Sequence, residues 1–194
     1  MAMIHYSDLS NGFAGQFLVA SPYISTPPFA QSVIFVCAHS SDDGAMGIIV
    51  NRRLTNPTPD ELLKQLGITT IPQSEQFSIS AGGPVENAHG LVLHTPDWET
   101  NGCISVTNSI KLNASLDVLR DISQGKGPKH ALLALGHANW SAGQLEQEIL
   151  DNIWQLAPYH DDILFGCNYN KKWQIALNSI SVTPEKLSNL TGRS

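Results

Sequence analysis

Two short apolar runs on either side of a polar turn constrain the fold of this chain more than any other feature. Ser32–His39 (SVIFVCAH) and Met46–Val50 (MGIIV) are rich in β-branched residues, and the four residues Ser41–Gly44 (SDDG) between them have the composition of a turn. This pattern predicts a β-hairpin. Because both runs are almost continuously apolar, we expect at least part of each strand to be covered on both faces.

Further strands are predicted from short apolar runs bounded by Gly, Pro and polar residues. They cover residues 17–20, 77–80, 90–94, 103–107, 130–136 and 163–165. The segment Ala81–Pro84 (AGGP) must turn, so the runs at 77–80 and 90–94 form either a second hairpin or two sheet elements joined by a broad turn.

Helices are predicted where apolar residues recur every three or four positions behind a capping residue. Thr58 and Glu61 make a capping box ahead of a short helix that stops at Gly67. Three more are expected: one carrying Leu112, Leu116, Leu119 and Ile122, one capped by Ser141 and continuing through Leu145, Ile149 and Ile153 to Pro158, and one over 172–180 before a capped turn at Thr183.

The order of these elements and the composition bound the architecture. Strands and helices do not alternate strictly, which favours a single α+β domain over residues 1–194 with a mixed or antiparallel sheet. With 42% apolar and 14% charged residues, 194 residues can bury a core without disulfides. No window reaches the roughly 20 apolar residues of a membrane span, and the first residues lack a signal peptide, so we expect a cytoplasmic protein with no membrane partner and reduced, mostly buried cysteines.

Motifs for catalysis, metal binding or cofactor binding are not evident. The turn Gly82–Gly83–Pro84 lacks the spacing of phosphate-binding loops, and no cofactor or metal is predicted. Cys37 and His39, two positions apart on one strand, are expected to share a face, as a core thiol and a strand-end histidine, as a nucleophilic pair or as half of a zinc site. We expect Glu146 and Glu148 to lie on the solvated face of their helix.

The charge balance makes indiscriminate nucleic-acid binding unfavourable. Seventeen acidic and eleven basic residues leave a net charge of −6. Direct DNA binding would require the folded chain to gather its scattered basic residues on one surface, namely Arg52, Arg53, Lys126, Lys129, Lys171 and Lys172.

Several blocks of sequence resemble, in order and over nearly the full chain, the YqgE/AlgH family of bacterial proteins. The blocks are GQFLVASP from Gly15, SVIFVCAH from Ser32, GAMGIIVN from Gly44, GGPV from Gly82, GLVLH from Gly90, and Trp140 followed by GQLEQEI from Gly143. The resemblance implies a single α+β domain whose bifurcated β-sheet closes into a pseudo-barrel with helices packed around it. It also implies a transcriptional-regulator label, but it supplies no reaction, cofactor or catalytic residue.

These observations together favour a non-enzymatic regulatory protein that acts through contacts with a protein partner. The alternative is a small-molecule binder or enzyme whose cavity is lined by the loops around Asn51, Gly82, Gly83, Pro84 and His94.

A second candidate surface is the start of the helix that follows Trp140. Ser141 and Gln144 form a capping-box pattern there, with Trp140 just before the cap. The functional hypothesis is that this helix start faces the Gly82–Pro84 turn and binds an anion or an acidic group of a partner. The structural hypothesis is that Trp140 packs in the core against Leu145.

Overall fold

The computed structural model describes residues 12–69 and 77–181. The strands are β1 Phe17–Ala20, β2 Val33–Ser40, β3 Gly44–Ile49, β4 Ser78–Ala81, β5 Val85–His94, β6 Ile104–Ser105, β7 Lys111–Asn113, β8 Ala131–Trp140 and β9 Trp154–Ala157. The helices are α1 Pro59–Gln65, α2 Asp117–Ser123, α3 Gln144–Leu150, α4 Asp161–Leu164 and α5 Tyr169–Ser181.

The sheet divides along β8, a central strand of 10 residues. The first half of β8 pairs with β4 in parallel and with β5 antiparallel, whereas its last three residues pair with β3. The strand order is β6-β7-β5-β8-β3-β2-β1-β9, with β4 beside β8 off this path. The result is a curled, mixed sheet in the shape of a half-barrel, and the predicted α+β class with a bifurcated sheet is confirmed.

The predicted hairpin of β2 and β3 is present, with one irregularity that matters for the site. Val36 lies opposite Gly47, but Ala38 lies opposite Met46, so Cys37 is an extra residue in β2. Such a bulge shifts the alternation of the side chains that follow it. Val33–Cys37 are all buried, which confirms that this strand is covered on both faces.

Two arrangements were predicted for the runs at 77–80 and 90–94: the prediction of a hairpin is wrong, and the prediction of two sheet elements joined by a broad turn is confirmed. β4 and β5 lie on opposite sides of β8 and do not pair with each other. Gly82 occupies the fork of the sheet: its N–H donates to Leu135 O, and its carbonyl accepts from Ile49 N–H, both at 2.8 Å. A Cβ on Gly82 would lie 2.2 Å from Gly136 O, so only glycine fits.

Two helix predictions stand as made, and two need correction. The Thr58–Glu61 capping box opens α1, and α5 contains the predicted helix at 172–180. Leu112, however, lies in β7, because its backbone pairs with β5 and β6, and α2 begins only at Asp117. Leu112 continues the spacing of the apolar residues in α2, but its strand pairing with β5 and β6 determines its conformation.

The helix after Trp140 is shorter than predicted, and one predicted strand is a helix. α3 ends at Leu150, and two residues later Asn152 adopts φ +58°. The residues from Trp154 form β9 against β1. Of the run at 163–165, Ile163 and Leu164 lie in α4 and Phe165 is its C-cap; the start of α4 is capped by the His160 side chain, which accepts from the Asp162 N–H. The turn predicted at Thr183 lies outside the described residues.

Three clusters of buried side chains hold the sheet and helices together. One lies between the sheet and α4–α5, a second between the β1–β3 strands and α3, and the third between β4–β8 and α1–α2. Across residues 12–69 and 77–181, the helices are all too short or too polar to cross a bilayer.

Candidate functional site

The residues predicted to line one cavity are spread along the sheet. Asn51 is buried; its Oδ1 accepts from the Val33 N–H at 2.9 Å, and its Nδ2 donates to Gln31 O at 2.8 Å, so it anchors the loop before β2. Gly83 packs against the backbone of β8, where a Cβ would lie 2.2 Å from His137 O. Pro84 is exposed beside it.

His94 lies at the far end of β5 from this turn. Val85 is opposite His137 and His94 is opposite Ala131, so six residues of β8, or about 20 Å, separate the two ends. The structure therefore does not bring His94 into one cavity with Asn51 and the Gly82–Pro84 turn.

Trp140 is a core residue. Only 6% of it is exposed, and it packs with Leu145 in the cluster under α3. Its indole N–H donates to Glu148 Oε2 at 2.8 Å, and Trp154 donates to the same oxygen at 2.7 Å. Glu148 therefore joins two tryptophans instead of facing solvent, which corrects the prediction from the sequence.

Ser141 does not cap α3. The N-cap is Gly143 with φ +75°, and no side chain accepts from the first turn. Half of the predicted box is present, since Gln144 Oε1 accepts from the Ser141 N–H at 3.0 Å, but the Ser141 hydroxyl donates to that same oxygen. Ser141 also lies against Gly44, whose Cβ would approach it within 2.8 Å, so the segment beside it is the β2–β3 turn.

Cys37 and His39 do not share a face, because the bulge at Cys37 separates them. Cys37 is buried among the residues on the α5 side, and burial raises the pKa of its thiol. His39 stacks on Phe13, with ring centroids 4.4 Å apart, and its Nε2 lies 2.9 Å from Glu146 Oε1. Glu146 is thus a hydrogen-bond partner of His39 and does not lie on a solvated face.

The six basic residues considered for DNA contact do not form one free surface. Lys172 is buried, and its ammonium donates to Val50 O at 3.2 Å and Leu164 O at 2.9 Å. Burial lowers the pKa of Lys172 to about 8. The Arg52 guanidinium donates to the carbonyl oxygens of Pro28 and Ala30. Both side chains therefore act within the fold.

A cleft of about 360 Å³ lies where β4 and β8 begin. The isolated bridge from Arg53 to Ser80 brings Arg53 to its rim, the residues before β8 contribute Lys129 and His130, and the segment between α4 and α5 closes the far side. None of the described residues that line it is Asp or Glu. Its polar and aromatic lining consists of Arg53, Phe77, Ser78, Lys129, His130, Phe165, Cys167 and Tyr169.

Two pairings of a nitrogen-containing side chain with an aromatic ring shape this cleft. The Arg53 guanidinium carbon lies 5.3 Å from the centre of the Tyr169 ring, and the His130 ring stacks on Phe165 at 5.5 Å and 25°. Lys172 Nζ lies 4.5 Å from the Tyr169 centroid, so this ring contacts two basic side chains. Guanidinium donors suit the oxygens of phosphate and carboxylate groups.

Sequence reasoning did not assemble this cleft. Arg53 and Lys129 were considered only as scattered basic residues, and no short motif connects positions 53, 130 and 169. They meet because β4 lies parallel to β8 and α5 packs across the sheet. A correct pairing of β4 with β8 would have provided the signal.

Comparison with known proteins adds the family. Residues 17–185 match a family model described as AlgH-like. A UPF0301 protein of Gluconobacter oxydans is 49% identical over 182 residues, covering 93% of this chain and 97% of the relative. A UPF0301 protein of Rhodospirillum rubrum is 40% identical over 178 residues and covers 92% of both chains.

Solved structures agree. The solution structure of AlgH from Pseudomonas aeruginosa has a TM-score of 0.73 and 32% identity, covering 100% of this chain and 98% of that one. A protein from Corynebacterium diphtheriae has the same fold, with a TM-score of 0.68 and 22% identity over 89% of each chain. The described fold and the match over most of the chain place this protein in the AlgH-like family of bacterial UPF0301 proteins.

Proposed function

We propose that this protein is a non-enzymatic binding protein with a regulatory role in the cytoplasm, and that it takes up a small anionic ligand with a planar ring in the basic cleft. The observation that carries the proposal is a pair of aromatic contacts beside the Lys129 side chain: the Arg53 guanidinium over the Tyr169 ring, and the His130 ring stacked on Phe165. Cations at the rim would hold a phosphate or carboxylate group. The half-buried Phe165 ring and the exposed His130 ring offer a stacking surface for the rest of the ligand, whereas the Tyr169 ring is buried beside Arg53.

The charge of the protein as a whole supports selective uptake at this place. A chain with net charge −6 repels anions over most of its surface, so a cleft lined by Arg53 and Lys129 is a local exception. Local positive potential raises the concentration of anions at a cleft and increases their rate of association.

A protein partner is the second half of the proposal. Ile24, Phe29 and Ile153 line an apolar groove beside Trp154, and Tyr23 next to it is 93% exposed. Exposed apolar groups that lie together are typical of interaction surfaces. Ligand in the cleft would then alter contact with the partner without any reaction.

Isothermal titration calorimetry with phenyl phosphate tests the binding function. We expect phenyl phosphate to bind more tightly than inorganic phosphate, because only the former can stack. Arg53→Ala and Lys129→Ala should each weaken binding about tenfold or more, since a hydrogen bond to a charged group contributes about 1.5–3 kcal/mol. Lys126→Ala is the matched control: it removes one exposed charge outside the cleft and should change affinity less than about twofold.

Two results would contradict this proposal. One is equal weakening by Lys126→Ala and Arg53→Ala, which would indicate a general charge effect. The other is failure of phenyl phosphate to bind while a short DNA duplex binds with a steep dependence on salt concentration, which would favour a nucleic-acid ligand.

A further inference from the structure

A cluster of thiol, imidazole and amide lies on the other side of the sheet from α5, near the edge formed by β5, β6 and β7. Cys103 Sγ is 3.8 Å from His94 Nε2, and Asn113 Nδ2 is 3.0 Å from the same sulfur. Cys103 is half-buried, whereas His94 and Asn113 are buried. The cluster is separate from the basic cleft.

The direction of the proton is set by the backbone. His94 Nδ1 lies 2.8 Å from Thr95 O, and a carbonyl oxygen can only accept, so Nδ1 carries the hydrogen. Nε2 is then an acceptor, and the Cys103 thiol donates to it. A thiol beside a neutral imidazole is the arrangement in which a base removes the proton of a nucleophile.

The surroundings favour the neutral form of the imidazole. Burial against Trp98, whose ring centroid is 5.3 Å away, lowers the pKa of His94. The hydrogen bond to the Thr95 carbonyl raises this pKa, and of the charges around the ring Lys111 lowers it while Asp97 raises it. Lys111 itself is paired with Glu99 at 2.7 Å.

Asn113 is oriented to stabilise a thiolate. Its Oδ1 accepts from the Ser115 N–H at 2.6 Å, which turns the amide nitrogen toward Cys103. A hydrogen bond donated to the charged form of an acid favours that form.

The other two thiols differ from Cys103. Cys37 is fully buried, and its Sγ lies 3.7 Å from Phe35 O. Cys167 is exposed at the basic cleft, and in the described part of the chain no imidazole is hydrogen-bonded to it. Cys103 combines partial exposure with an imidazole within hydrogen-bond reach, whereas Cys167 has only the charge of Lys172 nearby, so proton removal by a base is expected at Cys103.

We propose that Cys103 is a modification site that forms a mixed disulfide with a small-molecule disulfide, with His94 as the base. The thiol proton passes to His94 Nε2, and the sulfur attacks one sulfur of the disulfide. One S–S bond forms and one breaks, and the leaving thiolate takes the proton from His94. The thiol is oxidised and the small disulfide is reduced, so no other reactant is needed.

The test is the pH dependence of modification in the intact native chain. The probe is bis(2-hydroxyethyl) disulfide, which is uncharged and therefore not attracted to the basic cleft, and peptide mass spectrometry measures the rates at Cys103 and Cys167 between pH 5.5 and 9. At pH 6.5 we expect Cys103 to react at least tenfold faster than Cys167. Because His94 accepts the thiol proton, the rate at Cys103 should rise less steeply with pH than the rate at Cys167, to which no imidazole among the described residues is hydrogen-bonded.

His94→Gln removes the base while keeping a side chain that can accept the thiol hydrogen bond. In this variant Cys103 should lose its rate advantage at pH 6.5, and Cys167 should be unchanged. Labelling of Cys37 would reveal a variant that fails to fold, and the wild-type profile then decides the question alone. A wild-type Cys103 that reacts no faster than Cys167, with the same rise per pH unit, would overturn the proposal.

Discussion

Replacing Trp140 by alanine separates its role in the core from a role in recognition. Only 6% of the residue is exposed, its ring packs edge-on against Trp154 with the ring centroids 6.1 Å apart, and its indole N–H donates to Glu148. Substitution of a buried aromatic residue by alanine lowers the free energy of unfolding by about 3–5 kcal/mol. Since whole domains are stable by about 5–15 kcal/mol, Trp140→Ala should remove a large fraction of the stability.

The hydrogen bond can be separated from the packing by a second substitution. Trp140→Phe keeps much of the ring but removes the N–H that reaches Glu148 Oε2. Because Trp154 still donates to that oxygen, we expect a loss at the low end for a hydrogen bond to a charged group, about 1.5–2 kcal/mol beyond the loss of volume.

Urea unfolding followed by far-ultraviolet circular dichroism provides the measurement. Leu150→Ala is the control, because Leu150 is an apolar residue of the same helix but is 43% exposed. Its loss should stay below about 1 kcal/mol. If Trp140→Ala were no more destabilising than Leu150→Ala, and if it abolished recovery of a protein partner, Trp140 would be a recognition residue and the packing argument would be refuted.

Three further predictions concern stability. The pKa of Lys172 is about 8 in the folded chain and 10.5 in the unfolded chain, so between these pH values the unfolded chain binds more protons. The unfolding free energy should therefore rise from pH 8 to pH 10.5 by up to about 3 kcal/mol relative to Lys172→Met. The same pH dependence in both proteins would contradict this. Gly82→Ala should destabilise by about 1–3 kcal/mol or more in thermal unfolding, because its Cβ meets Gly136 O, and an unchanged midpoint would show that the fork can open. Thr58→Ala should lower the unfolding free energy by about 1 kcal/mol, because the Thr58 side chain caps α1. Ser141→Ala should change the unfolding free energy by less than about 0.5 kcal/mol, because no backbone N–H of α3 donates to its hydroxyl. Equal losses in the two variants would contradict this assignment of caps.

Local signals predicted local structure well. The β2–β3 hairpin and the capping box of α1 depend on neighbouring residues, and both are present as expected. Where an element depends on partners distant in sequence, the prediction was wrong. Leu112 lies in a strand because its backbone pairs with β5 and β6. The helix after Trp140 is shorter than predicted because the residues from Trp154 pair with β1 as strand β9.

The sites were harder to predict because each one depends on register. One extra residue at Cys37 moves His39 to the opposite face, and no periodicity reveals a bulge. The pairing of Cys103 with His94 and the meeting of Arg53 with Tyr169 likewise follow from strand order and helix packing. His94 was selected from the sequence, but its contact with Cys103 could not be derived from spacing.

Mapping of amide chemical shifts in the ¹⁵N-labelled protein during titration with phenyl phosphate tests the anion-binding function most directly. The account predicts changes confined to the cleft, at Arg53, at 129–131 and at 165–169, with residues 139–144 and His94 unaffected. Shifts centred on the apolar groove beside Trp154, or no shifts at millimolar phenyl phosphate, would contradict this function.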